Sequence, residues 1–183
     1  SGIAMWGHAS LKQSGALRAN ENGFIGVFVN TGSAWDSLRT ETDLVTETNS
    51  NAIAGVVLQF GATGWVENLT ARGNPFAGLF LFASSLEAQN VDLAANSYGA
   101  LVELNSSLAL DYGNVADNIY GIFADQDTQV SLVGLDIHDN MIGLALDGAS
   151  AWITGCGSHD NSTSLDTYLT FGARADFASG NDM

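Results

Sequence analysis

The chain has 183 residues, of which 46% are apolar, so it is long enough to bury a hydrophobic core as one domain. It carries 20 Asp and Glu against five Lys and Arg, and its formal net charge is −15. This balance makes nucleic acid and anionic membrane surfaces unfavourable partners. The single cysteine, Cys156, excludes an intrachain disulfide, and the sequence contains no nucleotide-binding loop, zinc motif or serine-centred catalytic motif.

An Asn-x-x-(x)-Gly element recurs along the whole chain at steps of 29, 23, 22, 22, 22 and 21 residues. Its asparagines are Asn22, Asn51, Asn74, Asn96, Asn118, Asn140 and Asn161. Alternating apolar residues follow each glycine, and a further apolar column of Leu86, Leu108, Val130 and Trp152 keeps the same step. Alternation with a period of two predicts strands, and the repeat length predicts a solenoid with coils about 4.8 Å apart. Leucine-rich repeats have a comparable period, but their leucine order is missing here.

The unit "NIYGIFADQDTQVSLVGLDIHDN", residues 118–140, resembles the repeat of the right-handed parallel β-helix family. This family includes pectate lyases, polygalacturonases, phage tailspikes and autotransporter passengers, and the resemblance covers nearly all of residues 2–181. It implies an all-β, right-handed parallel β-helix solenoid of about eight coils of roughly 22 residues. It also implies that the seven asparagines stack inside a tight turn, where each amide bonds its neighbours above and below.

We treat residues 1–183 as a single β-helix domain. The first repeat begins in mid-coil and neither end offers an obvious capping helix, so we expect a fragment of a longer secreted or cell-surface protein. The alternative is that residues 1–8 fold as an atypical cap.

The step of 29 residues predicts a loop insertion within residues 31–50, leaving the coil just after its first strand. Trp35, with Asp36 and Arg39, would there offer an aromatic platform and a charged pair suited to sugars. The alternative is that Trp35 folds back over Phe28.

Strand alternation after each glycine predicts two outward columns on the first sheet. One contains Ala4, Phe28, Val57, Phe80, Leu101, Phe123 and Ala145, and the other contains Trp6, Asn30, Gln59, Phe82, Glu103, Asp125 and Asp147. A long exposed apolar stripe is seldom left to water. We therefore expect Phe80, Phe82 and Phe123 to contact a substrate or partner, with homo-oligomerisation through the apolar column as one outcome. The alternative is that long insertions or other parts of a longer parent chain cover this stripe.

Glu103, Asp125 and Asp147 are candidate catalytic acids, because glycoside hydrolysis uses two carboxyls about 5–5.5 Å or 6.5–9.5 Å apart. The resemblance weakens this assignment. Pectate-lyase-like sites use an Arg or Lys base with calcium-binding acids, and polygalacturonase-like sites pair aspartates with a His and a basic motif. None of the five basic residues falls in this column.

Asp117, Asp139 and Asp160 each directly precede a ladder asparagine and form a candidate metal column. Stacked like charges are unfavourable, and calcium, which takes oxygen ligands, would relieve them. The alternative is a row of carboxylates open to water without a bound ion. The tripeptide "HDN" also places His138 and His159 on neighbouring coils. No other cofactor is expected.

The sequence therefore predicts a noncatalytic scaffold or adhesive segment that presents an elongated face to a polysaccharide or a protein. The alternative is a carbohydrate-active enzyme, a polysaccharide hydrolase or lyase, that uses the acidic residues of the first sheet. A mineral-binding face is a third hypothesis, which only the acidic corner columns support.

Overall fold

The computed structural model describes residues 1–37, 44–162, 167–170, 172–178 and 180–181, and leaves the side chains of residues 167 and 168 undescribed. The described residues form strands and turns without a helix, and so offer none that could cross a membrane.

Twenty strands follow one another along the chain. The first ten are β1 (Ile3–Met5), β2 (Ser10–Gln13), β3 (Leu17–Arg18), β4 (Ile25–Asn30), β5 (Ala34–Ser37), β6 (Thr46–Glu47), β7 (Ala54–Gln59), β8 (Thr63–Glu67), β9 (Leu69–Arg72) and β10 (Ala77–Phe82). The others are β11 (Ser85–Ala94), β12 (Tyr98–Glu103), β13 (Ser107–Ala116), β14 (Tyr120–Ala124), β15 (Gln129–His138), β16 (Ile142–Asp147), β17 (Ser150–Thr154), β18 (Gly157–His159), β19 (Thr167–Thr170) and β20 (Arg174–Phe177).

The strands form two parallel sheets, and each coil contributes to both. The first sheet has eight strands in the order β1-β4-β7-β10-β12-β14-β16-β19. The second has twelve, with β2-β5-β8-β11-β13-β15-β17-β20 as its main path. Consecutive strands of one sheet are separated in the chain by a whole coil, which defines a β-solenoid of about seven turns with a spacing of about 22 residues. The predicted all-β parallel solenoid is confirmed.

The core lies between the two sheets and follows the alternation read from the sequence. The side chains predicted to point inward from the first sheet are fully buried: Val27, Val29, Val56, Leu58, Leu79, Leu81, Ala100, Val102, Ile122, Ala124, Leu144 and Leu146. Burying one Val, Leu or Ile stabilises a fold by about 1.5–3 kcal/mol. Each coil is therefore stabilised by the apolar side chains that it buries against the coils on either side.

The asparagine ladder is present in all seven coils from Asn22 to Asn161. From Asn22 to Asn140, the backbone N–H and the Nδ2 of each ladder asparagine donate to the Oδ1 of the asparagine one coil later, as from Asn51 to Asn74 at 3.0 and 3.1 Å. In the middle coils, Nδ2 also donates to a carbonyl of the preceding coil, as Asn118 does to Leu93. An amide suits this corner because it supplies both donors and acceptors.

The glycine that follows each ladder asparagine except Asn161 leaves room for the next coil. A Cβ on Gly26 would lie 2.6 Å from the carbonyl oxygen of Gly55 and 2.8 Å from Nδ2 of Asn51. Real Cβ atoms do not approach backbone oxygens so closely, so a larger residue would push the coils apart.

The extra length in the second coil follows its second strand. β5 stays in the second sheet and pairs with β2 and β8, whereas Thr46 pairs with Leu69 after the extra residues. The prediction that the insertion leaves the coil after its first strand is therefore wrong. Residues 38–43, including Arg39, lie outside the described residues.

Candidate functional site

The outer face of the first sheet carries the predicted acidic column. In the register, Phe82 pairs with Gln59 on one side and with Glu103 on the other. Asp125 follows β14, its backbone N–H bonded to the carbonyl of Val102, and Asp147 ends β16. Adjacent strands lie about 4.8 Å apart, so three carboxyls are stacked along one edge of this face.

Burial dominates the electrostatics of these acids. It raises the pKa of Glu103, and neighbouring Asp125 raises it further. Burial also raises the pKa of Asp125, which Asp147 and Asp127 reinforce, while the backbone N–H of Leu104 donates to Asp125 Oδ1 at 3.0 Å and opposes the rise. Asp147 accepts a hydrogen bond from the Thr170 hydroxyl at 2.7 Å. Glu103 and Asp125 therefore hold a proton more tightly than free carboxyls do.

The raised pKa of Glu103 predicts a pH-dependent stability. The folded state binds this proton more tightly than the unfolded chain, so stability is highest below the usual pKa of 4.5 and falls as the pH rises through the raised value. We expect Glu103→Gln to raise the free energy of unfolding at neutral pH and to give no gain below pH 4.5. The gain should be modest, because water still screens the carboxyl.

Urea unfolding at neutral and acidic pH measures this difference. Glu67→Gln, the same change on the second sheet, serves as the control. If Glu103→Gln were less stable at neutral pH, the charged form of Glu103 would not be disfavoured by burial, which would contradict this account.

The apolar column is less exposed than predicted. Val57, Leu101 and Ala145 are buried, and Phe28, Phe80 and Phe123 are only half-buried. Neighbouring rings pack edge-on against the phenylalanines: Trp6 on Phe28 at 4.9 Å, Phe76 on Phe80 at 5.6 Å, and Tyr98 and Tyr120 on Phe123 at 6.0 and 5.7 Å between centroids. Because these rings cover the phenylalanines, the column contributes only part of the exposed apolar surface.

Large exposed apolar side chains flank that column on both sides, in the turns just before and just after the strands of the first sheet. They are Trp6, Phe24, Ile53, Phe60, Phe76, Leu104, Ile119 and Met141, between 36% and 60% exposed. Sequence reasoning missed most of them, although an apolar residue recurring between the ladder asparagine and its glycine was a signal. We call this set, with Phe28, Phe80, Phe82 and Phe123, the apolar face.

The expected platform at Trp35 is not at the surface. Trp35 is 1% exposed, and its Nε1 donates to Oε1 of buried Gln13 at 3.2 Å. It points inward from β5, where its register partners are Leu11 in the preceding coil and Gly64 in the next. The platform prediction is therefore wrong, and so is the alternative that Trp35 covers Phe28, which lies on the other sheet.

The aspartates at the ladder corner have a backbone explanation. Asp117, Asp139 and Asp160 have φ of 57°, 54° and 55°, a left-handed conformation that aspartate tolerates better than most residues. Asp139 and Asp160 lie 2.8 and 2.9 Å from Nδ1 of the preceding His138 and His159. Within the described part of the chain, no group of three or more His, Cys, Asp and Glu is placed to hold a metal ion.

The two histidine rings are stacked, with centroids 5.4 Å apart and planes 7° from parallel. A hydrogen bond with Asp160 raises the pKa of His159, and Asp136, 2.9 Å from its Nε2, adds to the rise. This corner is an exposed cluster of histidines and aspartates in hydrogen-bond contact.

These features define a parallel β-solenoid with an internal asparagine ladder and an apolar face on one sheet. No family model matches the chain, and searches of curated proteins and of solved structures find no significant match.

Proposed function

We propose that this chain is a noncatalytic β-solenoid segment of a secreted or cell-surface protein, and that its apolar face binds a polypeptide partner. The observation that carries the proposal is a continuous set of exposed apolar side chains at both ends of the strands of the first sheet. Soluble monomers seldom expose apolar patches of this extent unless a partner covers them.

Ring packing favours a polypeptide over a polysaccharide at this face. A sugar platform needs an open ring face, but seven of the eight ring contacts between the Phe, Tyr and Trp residues described here are edge-on. Phe60 and Phe82, for example, meet at 5.5 Å and 76°. Such a surface is irregular, and it suits interdigitating apolar side chains better than a flat sugar ring.

The acidic residues beside the apolar face indicate the charge of the partner. Glu103, Asp125 and Asp147 line one edge of the apolar face, whereas every Lys and Arg in the described residues lies in the second sheet: Lys12, Arg18, Arg72 and Arg174. A second copy of this chain would bury the three carboxylates without cations, at a substantial cost. The partner is therefore a different polypeptide, apolar on one side and basic along its edge.

A peptide-binding experiment tests this proposal. We expect a peptide of alternating Lys and Leu to bind, and the double variant Phe24→Ser, Phe60→Ser to bind it about tenfold more weakly, because these exposed rings flank both edges of the face. Fluorescence anisotropy with a labelled peptide measures the Kd. Trp152→Ser, an exposed ring on the second sheet, should leave it unchanged. A peptide of alternating Glu and Leu that bound with the same Kd as the Lys-Leu peptide would contradict the proposal.

The alternative proposal, a polysaccharide hydrolase or lyase, draws on one observation and on the likeness of the repeat to pectate-lyase-like units. That observation is the adjacent pair Glu103 and Asp125, whose raised pKa values suit proton donation. Release of reducing ends from a polysaccharide, abolished in Asp125→Asn, would favour it over the binding segment.

A further inference from the structure

A groove of about 310 Å³ lies on the outer surface of the second sheet, away from the apolar face. The outward side chains that line it include Ser107, Gln129, Ser131, Ser150, Trp152 and Asp176. Its volume is at the lower end of the roughly 300–1,000 Å³ typical of small-molecule sites.

The groove exists because two small side chains precede a large one along one outward column. Ala109, Ser131, Trp152 and Asp176 are consecutive register partners on β13, β15, β17 and β20. Ala109 and Ser131 form a low floor, and the indole of Trp152, 54% exposed, stands beside it. Trp152 must point outward, since its neighbours Ala151 and Ile153 are 5% and 0% exposed.

A shortened turn places Trp152 on this surface. From Asp147 to Ser150 is three residues (150 − 147), whereas from Asp125 to Gln129, the matching positions one coil earlier, is four (129 − 125). The predicted column of Leu86, Leu108 and Val130 therefore continues in Ala151, and the prediction that Trp152 belongs to it is wrong.

The lining combines one exposed aromatic plane with hydroxyl, amide and carboxylate groups. An aromatic plane packs against the C–H face of a sugar ring, and the polar groups can pair with its hydroxyls. Arg174, on the groove side of β20, donates through Nε to Asp176 at 3.0 Å, so this cation is already neutralised. With a net charge of −15, the chain repels polyanions.

The geometry points to a binding site for a neutral oligosaccharide in this groove, with Trp152 as the stacking platform. The site is independent of the apolar face and of any polypeptide bound there.

The test uses NMR of the ¹⁵N-labelled chain, whose four tryptophans give separate indole N–H signals. Cellohexaose, mannohexaose and maltohexaose are the neutral probes, and hexagalacturonate is the anionic one. We expect at least one neutral probe to shift the Trp152 signal while leaving the buried Trp35 signal in place. Trp152→Ala should weaken binding about fivefold to tenfold, the usual range for an aromatic contact.

Two further variants separate the groove from other causes. Ser131→Leu fills the floor while keeping the indole in the chain and should abolish the shift, whereas Trp6→Ala removes a similarly exposed ring from the first sheet and should preserve it. The proposal is overturned if no neutral probe shifts Trp152, if the shift survives in Ser131→Leu, or if hexagalacturonate binds more tightly than every neutral probe.

Discussion

Replacing Asn118 with aspartate is expected to lower the free energy of unfolding by about 3–5 kcal/mol. Asn118 is 4% exposed, and its Nδ2 donates to Asn140 Oδ1 at 2.9 Å and to the Leu93 carbonyl at 3.0 Å. An aspartate has the same shape but turns this donor into an acceptor that faces two other acceptors. If it ionises, the charge is buried without a cation.

Urea unfolding of the variant, followed by circular dichroism, measures the loss. Asn105→Asp is the matched control, because Asn105 is exposed at a turn with a φ of 55° that aspartate also tolerates. It should change stability by no more than about 0.5 kcal/mol. Equal stability of the two variants would contradict the assigned role of the ladder.

Gly113→Ala is expected to destabilise the chain by about 4 kcal/mol or more, or to prevent folding. Gly113 lies within β13 at a φ of 125°, which side chains rarely adopt, and an added Cβ would overlap the backbone of Val91 on the adjacent coil. Neither backbone can give way, because each strand is bonded to coils on both sides. The expected effect combines backbone strain with the separation of two coils.

Gly15→Ala controls for the loss of glycine itself. No atom lies within 4 Å of a Cβ built at Gly15, and its φ is outside the left-handed region. Its thermal midpoint should stay at or slightly above that of the original chain, since alanine restricts the unfolded state. A Gly113→Ala variant that melts with the same midpoint would show that the assigned register of β11 and β13 is wrong.

The repeat could be predicted because its key positions accept only one kind of residue. A buried amide that bonds itself from coil to coil requires asparagine, and a corner crossed by the next coil's backbone requires glycine. The core of the first sheet follows from the alternation after Gly55, Gly78 or Gly121, because in a strand the period of two fixes which side faces inward.

The errors arose where single residues change the geometry of a coil. Trp35 is buried because it lies at an inward position of β5 and its indole N–H finds a buried acceptor in Gln13, a pairing that periodicity does not express. Trp152 is exposed because one turn is a residue shorter, which moves the side chains of β17 to the face opposite to that expected from a constant step of 22 residues. The corner aspartates have a backbone explanation in their positive φ, so their charge pattern alone is no signal of a ligand site, and the calcium site stays a prediction.

The most direct test of the proposed function is to locate where the alternating Lys-Leu peptide binds. A nitroxide label on the peptide should broaden the NMR signals of β10, β12 and β14 in the first sheet more strongly than those of β11, β13 and β15 in the second, because the two sheets lie about 10 Å apart. Preferential broadening of the second sheet, or none in either, would contradict the assignment of the apolar face as the partner-binding surface.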